Sequence, residues 1–295
     1  METIREALRQ GTRTLSQAGQ ASAPRDAQVL LGYVLTVERS TLYAYPERLL
    51  TVEQEQQFRE LIERRRYGEP VAYLIGHKEF YGLDLLVDRR VLIPRPETEL
   101  LIETALSNIR MMLDVGHIPV VADIGTGSGA IPIALAVHEP RLPYLYASDV
   151  SSEALEVAEL NCRRHHVEQR VRLLHGDLLV PLPEPIHILT ANLPYVGIDE
   201  MEVLAPDVRA YEPSLALFSG PHGLDLLQRL LTEAQRSNIL AKGAVILLEI
   251  GFQQREPLAR LLHDLWPQAG VTCRQDYAGW DRVLQIMFPY LEVTT

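Results

Sequence analysis

Cysteine is scarce in this chain: Cys162 and Cys273 are the only two in 295 residues. Two thiols so far apart exclude a disulfide framework and are typical of a reducing cytosol, so we expect a cytoplasmic protein. Long apolar runs are also missing. None approaches the roughly 20 residues that span a bilayer, and the opening METIREALRQGTR lacks the apolar core of a signal peptide. The nine histidines form no HExxH or similar paired pattern, so no metal site is predicted.

Basic side chains are also in short supply, since the formal net charge is −11. Residues 1–90 hold 13 basic and 13 acidic residues, so the other 15 basic and 26 acidic residues carry the whole net charge. Tight binding to a nucleic-acid backbone needs clustered Lys and Arg. The composition therefore disfavours a direct nucleic-acid partner, and nothing in it indicates a membrane partner.

The first part of the chain has helical periodicity. The stretches IREALRQGTRTLSQ, RDAQVLLGYVLT and TVEQEQQFRELIERRRYG place apolar residues three and four positions apart. We therefore predict a small helical domain over residues 1–75. The consecutive Arg64, Arg65 and Arg66 fit a solvated helix face, with a partner-binding patch as the alternative.

After the helical stretches, the pattern of apolar and polar residues changes twice. HKEFYGLDLLVDRRVLI alternates apolar and polar residues around a glycine, which predicts a β-hairpin linker over residues 76–95. Pro94 and Pro96 restrict the chain before a helix that begins near Glu97 or Thr98. From residue 118 strand-like runs alternate with helices, a pattern typical of an α/β sheet that is mainly parallel. We predict a catalytic domain over residues 96–295.

A glycine-rich loop follows the first strand of the predicted sheet. The run DIGTGSG (123–129) comes directly after the apolar PVVA and opens a helix. Glycines let the backbone turn tightly and approach a ligand, and ligands of such sheets bind at the carboxyl ends of strands. Asp149 ends the next strand, where its carboxylate could accept both hydroxyls of a ribose. The spacing is G-x-G-x-G rather than the G-x-G-x-x-G of dinucleotide enzymes.

A polar motif, NLPY, ends a later strand at residues 192–195. The side-chain oxygen of Asn192 and the main-chain carbonyl of Leu193 are two acceptors that could orient an NH2 group. Pro194 restricts Leu193 to an extended conformation, which aims that carbonyl. Tyr195 would supply a flat wall for a planar amide or base.

The glycine loop, led by Asp123, resembles motif I of S-adenosylmethionine-dependent methyltransferases. In that family the loop lies along the methionine and sugar of the cofactor, and the segment matching Gly176-Asp177-Leu178 borders the adenine. The resemblance implies S-adenosylmethionine as cofactor and S-adenosylhomocysteine as product. The cofactor positions that it implies are Asp123, Gly125, Thr126, Gly127, Ser128, Gly129, Asp149, Asp177, Leu178 and Asn192.

Several segments in order resemble one family, the PrmC/HemK release factor glutamine N5-methyltransferases. They are LIPRPETELLIE, the hairpin before it, the helical start, NLPY, DVRAYEPSLALFSGPHGLD and DYAGWDRV. The resemblance covers essentially the whole chain. It implies a Rossmann-like catalytic domain with a mainly parallel seven-stranded sheet, and methylation of the glutamine amide in the Gly-Gly-Gln motif of class I peptide chain release factors. The helical domain would help to dock that protein. The substrate positions implied are Asn192, Leu193, Pro194, Tyr195, Arg95 and Glu97, with the NLPY residues also catalytic.

Leu193 departs from the family pattern, which has Pro at this position. NLPY is also found in many ribosomal RNA adenine N6-dimethyltransferases, so adenine methylation is one alternative. Glutamine methylation of a ribosomal protein is a second, and a non-enzymatic cofactor-binding module is a third. We expect the second motif position to act through its carbonyl, which Leu supplies as well as Pro.

Overall fold

The computed structural model describes residues 1–289, whose contacts divide the chain into two units. The helical unit comprises Met1–His77 and Leu204–Glu212, and the sheet unit comprises Lys78–Val203 and the residues from Pro213 onward. Among residues 1–289, no helix is both long enough and apolar enough to cross a membrane. The prediction of a helical segment before an α/β domain is confirmed.

The chain forms eleven α-helices and nine strands within the described residues. The helices are α1 Ile4–Gln17, α2 Ala23–Leu35, α3 Arg39–Ala44, α4 Val52–Arg66, α5 Val71–Ile75, α6 Glu99–Asp114, α7 Ala130–His138, α8 Ser152–Arg164, α9 Pro206–Tyr211, α10 Asp225–Arg236 and α11 Arg255–Leu265. The strands are β1 His77–Phe80, β2 Leu83–Leu86, β3 Val121–Ile124, β4 Leu145–Asp149, β5 Val171–His175, β6 Ile186–Ala191, β7 Leu240–Glu249, β8 Gly270–Gln275 and β9 Asp281–Met287.

Helices α1 to α5 pack around one apolar core in the helical unit. Thr3 and Thr51 each begin a helix with a capping box, in which the threonine side chain and the residue three positions later satisfy each other's backbone N–H groups. The helical unit also includes α9, which the sequence interpretation placed in the catalytic segment. Tyr211 of α9 donates a hydrogen bond of 3.2 Å to the carbonyl of Tyr67.

The three arginines near the end of α4 do not share one environment, so the prediction of a common solvated face is wrong for one of them. Arg65 is 6% exposed, and its Nε donates to Asp26 Oδ2 over 2.7 Å. It also donates to the carbonyls of Gly68 and Glu69. Arg64 and Arg66 lie at the surface with acidic partners. Arg65 differs because its side chain points towards α2, where only a paired charge can be buried.

The main sheet has seven strands in the order β5-β4-β3-β6-β7-β9-β8, and only β9 runs antiparallel to its neighbours. Apolar residues of α6 and α7 contribute to a core on one side, and those of α10 and α11 to a core on the other. Because helices cover both faces of the sheet, β3 and β6 are almost wholly buried and most of their residues are apolar. The predicted fold class is therefore confirmed, and the hairpin is present as the two-stranded sheet of β1 and β2.

Candidate active site

A cavity of about 570 Å³ lies in the sheet unit, at the carboxyl ends of β3, β4 and β6. Its volume is in the range of small-molecule sites. Most of the predicted site residues line it, namely Gly125, Thr126, Gly127, Ser128, Asp149, Asp177, Leu178, Asn192, Leu193, Pro194 and Arg95. Asp123, Gly129, Tyr195 and Glu97 lie outside this lining.

The loop from β3 to α7 needs its glycines. Gly125, Gly127 and Gly129 have φ angles of +73°, +54° and +79°, in the left-handed region that other residues adopt only with strain. At Gly127 a side chain would meet no atom within 4 Å, so this backbone is open to an approaching ligand. At Gly125 a Cβ would lie 2.7 Å from Leu193 Cδ2. The glycine loop and the NLPY motif are therefore in direct contact.

Asp149 ends β4 beside this loop. Its Oδ2 accepts the backbone N–H of Gly127 over 2.8 Å, and its Oδ1 accepts that of Ser151 over 2.8 Å. Burial raises the pKa of this carboxyl, while the backbone N–H groups oppose that shift. Each carboxylate oxygen can accept a second hydrogen bond. Asp149 is thus held in place with the capacity to accept a pair of hydroxyls.

Asp123 is a residue of β3, just before the loop, and is fully buried opposite Thr190 of β6. Its Oδ1 accepts the hydroxyl of Thr190, on the neighbouring strand, over 2.7 Å. Burial raises the pKa of Asp123 to about 7, against the effect of the Thr190 hydrogen bond. This hydrogen bond links the end of β3, where the glycine loop begins, to the end of β6, where NLPY begins.

The third strand of the predicted motif series ends at Gly176-Asp177-Leu178. Asp177 pairs with Arg229 of α10. Leu178 is buried and has a φ of +44°, an uncommon conformation for a leucine, and its carbonyl accepts the Ser148 hydroxyl over 3.3 Å. The surrounding structure must hold Leu178 in this strained backbone conformation at the cavity wall.

Asn192 follows β6, and its side chain is oriented by one hydrogen bond. Its Nδ2 donates to Thr98 Oγ1 over 3.0 Å, so Oδ1 faces away from Thr98. Neither this Oδ1 nor the Leu193 carbonyl accepts a hydrogen bond from any of residues 1–289. Leu193 itself is 4% exposed and packs in the core. Its side chain therefore has a packing role, in addition to the role of its carbonyl that the sequence predicts.

Tyr195 packs beside this pair of acceptors without lining the cavity. Gln254 Nε2 donates to its carbonyl over 2.9 Å, which fixes the backbone of the motif. Burial raises the pKa of its phenol to about 12, so the hydroxyl stays protonated and can donate.

Arg95 reaches the cavity lining, whereas Glu97, two residues later, is exposed.

Two residues at the site are not predicted from the sequence. For Thr98, which orients Asn192, the sequence predicts only the start of a helix. Glu249 ends β7 beside NLPY and is 1% exposed, within a run that the sequence predicts to be an apolar strand. The signal available was a single acidic residue at the end of the run GAVILLEIG. A lone acid there does not by itself reveal what it faces.

Two family models match the chain: the PrmC N-terminal domain at residues 6–76, and the methyltransferase small domain at residues 97–203. A release factor glutamine methyltransferase of Moorella thermoacetica is 40% identical over 95% of this chain and 96% of its own length. The chain belongs to the release factor glutamine methyltransferases. Another member of this methyltransferase family, from Bacillus cereus, is 37% identical over 95% of this chain and 98% of its own length.

The fold of this family member extends to more distant methyltransferases. The solved N-terminal domain of human METTL16, in complex with SAH, aligns with a TM-score of 0.52 at 17% identity. The alignment covers 72% of this chain and 77% of that one. At this identity the likeness shows the shared fold alone.

Proposed function

We propose that this enzyme transfers a methyl group from S-adenosylmethionine to the side-chain amide nitrogen of the glutamine in the Gly-Gly-Gln motif of class I peptide chain release factors. One observation carries the proposal. Asn192 Nδ2 is held by Thr98, so that Asn192 Oδ1 and the Leu193 carbonyl remain as two acceptors at the cavity. Two acceptors match the two hydrogens of a primary amide.

The chemistry explains why such a pair is needed. An amide nitrogen is a poor nucleophile because its lone pair is delocalised into the carbonyl. Two acceptors that hold both N–H groups favour the loss of planarity as the nitrogen attacks the methyl carbon. Transfer would exchange the C–S bond of the bound cofactor for a new N–C bond, with the electrons of the C–S bond passing to sulfur and one N–H proton leaving to solvent. Orientation of this kind supplies several kcal/mol, with a ceiling of about 7–11 kcal/mol.

The residues present fit the cofactor. S-adenosylmethionine supplies an electrophilic methyl group on a sulfonium. Gly127 offers unobstructed backbone beside the cavity, and Asp149 has acceptor capacity for the ribose hydroxyls. Leu178 and Asp177 lie at the cavity wall where the adenine is expected. Asp123 and Gly129, which do not line the cavity, would support the loop.

The helical unit, residues 1–75 in the sequence interpretation, would dock the release factor. Several of its tyrosines are exposed, with Tyr43 at 62% and Tyr45 at 65%. Exposed tyrosines are common anchors of protein interfaces. We also place the reaction in the cytoplasm, where release factors act on the ribosome. Arg95 and Glu97 would contact the substrate near the cavity mouth.

The test is methylation of an intact release factor. The expected result is one added methyl group on the Gly-Gly-Gln peptide, located by tandem mass spectrometry. Asn192→Ala should lower kcat on the order of 10²-fold or more, since it removes one positioned acceptor. Asn238→Ala, at an exposed position away from the cavity, is the matched control and should keep the wild-type rate. An Asn192→Ala enzyme with full turnover would refute the mechanism. Methylation of a ribosomal protein in place of the release factor would refute the substrate assignment.

A further inference from the structure

Glu249 is a buried acid for which the proposed reaction has no role. It is the last residue of β7 and 1% exposed. Strands β6 and β7 are parallel neighbours with Ala191 opposite Leu248, so Glu249 lies across from Asn192 at the carboxyl edge of the sheet. A carboxyl at this position could influence the acceptor that the reaction needs.

The surroundings of Glu249 leave it unsatisfied. Both carboxyl oxygens are buried, and neither has a hydrogen bond of good geometry to any of residues 1–289. The hydroxyls of Thr98 and Tyr195 are nevertheless close enough to act on this carboxyl. Isolated buried carboxyls are costly, so natural proteins retain them for a reason. The groups that face it are the hydroxyls of Thr98 and Tyr195, the guanidinium of Arg282 and the carboxyl of Glu97. Burial raises the pKa of Glu249 to about 7, which the Thr98 hydroxyl and the Arg282 charge oppose.

We propose that Glu249 is the positioning residue of the amide site: its carboxylate accepts the Thr98 hydroxyl and thereby fixes Asn192 with Oδ1 towards the substrate amide. The inference rests on the proposed function. The direction of the Thr98–Asn192 hydrogen bond follows because a hydroxyl has one hydrogen and can therefore donate only one hydrogen bond. If Thr98 donates to Glu249, its oxygen can only accept from Asn192, and only the Asn192 NH2 group can donate. The observed Nδ2–Oγ1 distance of 3.0 Å matches this direction.

Protonation of Glu249 removes the constraint. A neutral carboxyl can donate to Thr98, whose hydrogen is then available to Asn192 Oδ1. Asn192 could then turn its NH2 group towards the cavity, where it would repel the substrate NH2. The ionised form is therefore the competent one, and kcat should fall as pH drops through about 7. Tyr195 stays protonated in this range, so the two acids to separate by mutation are Glu249 and its neighbour Glu97.

The kinetic test compares Glu249→Gln and Glu249→Leu with the wild type from pH 5.5 to 9, using S-adenosylmethionine and an intact release factor. Glutamine keeps an acceptor oxygen without titrating. We expect Glu249→Gln to lose about tenfold in kcat at pH 8 and to lose the acid limb near pH 7. Glu249→Leu should lose on the order of 10²-fold, with the KM for S-adenosylmethionine unchanged.

Two control variants isolate the effect. Glu139→Gln replaces another buried glutamate, whose carboxyl is paired with Arg110 and Arg141 away from the cavity. Arg141 holds the pKa of Glu139 down at about 2, so this variant should keep the acid limb near pH 7. Glu97→Gln should also keep it. An acid limb that survives in Glu249→Gln, or a Glu249→Leu enzyme with the wild-type kcat, would overturn the inference.

A spectroscopic test needs no turnover. The chain has four asparagines, so protein labelled with ¹⁵N-asparagine gives four side-chain amide pairs, and Asn192→Ala identifies the pair of interest. In the wild type the Asn192 amide protons should shift with a midpoint near pH 7, and in Glu249→Gln they should not. A flat wild-type titration would refute the inference even if Glu249→Leu failed to fold. Conversely, a clear titration in an enzyme that leaves the release factor unmodified would contradict the proposed function alone.

Discussion

The contact between Gly125 and Leu193 joins the glycine loop to the NLPY motif at the level of single atoms. An alanine at position 125 would place its Cβ 2.7 Å from Leu193 Cδ2, and it would have to adopt a φ of +73°. We expect Gly125→Ala to weaken binding of S-adenosylhomocysteine by at least about tenfold, because both the loop and the leucine must shift. Isothermal titration calorimetry measures that loss.

Gly116 provides the matched control for this prediction. It has a φ of +82°, but a Cβ there would meet no atom within 4 Å. Gly116→Ala should therefore show the cost of the backbone conformation alone, of the order of 1 kcal/mol, with unchanged affinity for S-adenosylhomocysteine. Adding Leu193→Ala to Gly125→Ala should recover part of the binding. Equal affinities of the Gly125→Ala and Gly116→Ala proteins would show that the contact is unimportant.

Single site residues could be predicted from the sequence where the neighbouring residues alone indicate their chemical role. Asn192 and Asp149 stand at strand ends within recognisable motifs, and the structure places both at the cavity. Thr98 and Glu249 were missed because their significance lies in what they face: Thr98 is 94 residues from Asn192 and meets it only through the fold. The burial of Leu193 was missed for the same reason, since its neighbour Gly125 lies on another strand end.

Among the elements, the packing of α2 against α4 depends on one buried ion pair. Arg65 and Asp26 are 6% and 7% exposed, and the hydroxyl of Ser22 also donates to Asp26 over 2.8 Å. Removing the arginine leaves the carboxylate buried without its countercharge. We expect Arg65→Met to lower the free energy of unfolding of the helical unit by about 3–5 kcal/mol. Urea denaturation followed by far-ultraviolet circular dichroism measures the change.

Arg66→Met is the neighbouring control, because Arg66 lies at the surface and its ion pair is with Glu63. Such a pair contributes about 0–1 kcal/mol. If Arg65→Met were as stable as Arg66→Met, the buried pair would be dispensable. The double variant Asp26→Leu with Arg65→Met should recover much of the loss, since it removes the uncompensated charge.

Most elements of this fold could be predicted from periodicity. The helices α1, α2 and α4 carry apolar residues at helical spacing, and the strands of the parallel sheet are short apolar runs between turns. The environment of Arg65 could not be predicted, because a run of three arginines does not show which one points inward. Nor could the membership of α9 in the helical unit, because its partners lie about 140 residues earlier in the chain.

Considering the whole molecule, the uneven charge and the exposed tyrosines bear on how a protein substrate is recognised. Residues 1–90 are electrically neutral overall, so a docking surface there would depend on contact area more than on charge. We expect Tyr43→Ala combined with Tyr45→Ala to raise KM for the intact release factor about tenfold or more, with kcat unchanged. For a short Gly-Gly-Gln peptide, which lacks the rest of the release factor, both constants should stay at wild-type values.

Tyr43→Phe with Tyr45→Phe keeps the rings and serves as the control, so it should retain most of the affinity. A matching rise in KM for the peptide would mean that the alanine variant disturbs the catalytic unit. An unchanged KM for the intact factor would move the docking role away from α3 and the residues after it.

The helical unit is built from two separated stretches of chain, Met1–His77 and Leu204–Glu212. In genetic terms it is not one cassette. A fusion that exchanged only the first 77 codons would import a helical unit without its own later segment, and would leave the host segment facing foreign side chains. Recombination between relatives should therefore succeed only when both stretches come from the same parent, so that changes near residue 207 are inherited together with changes near residue 65.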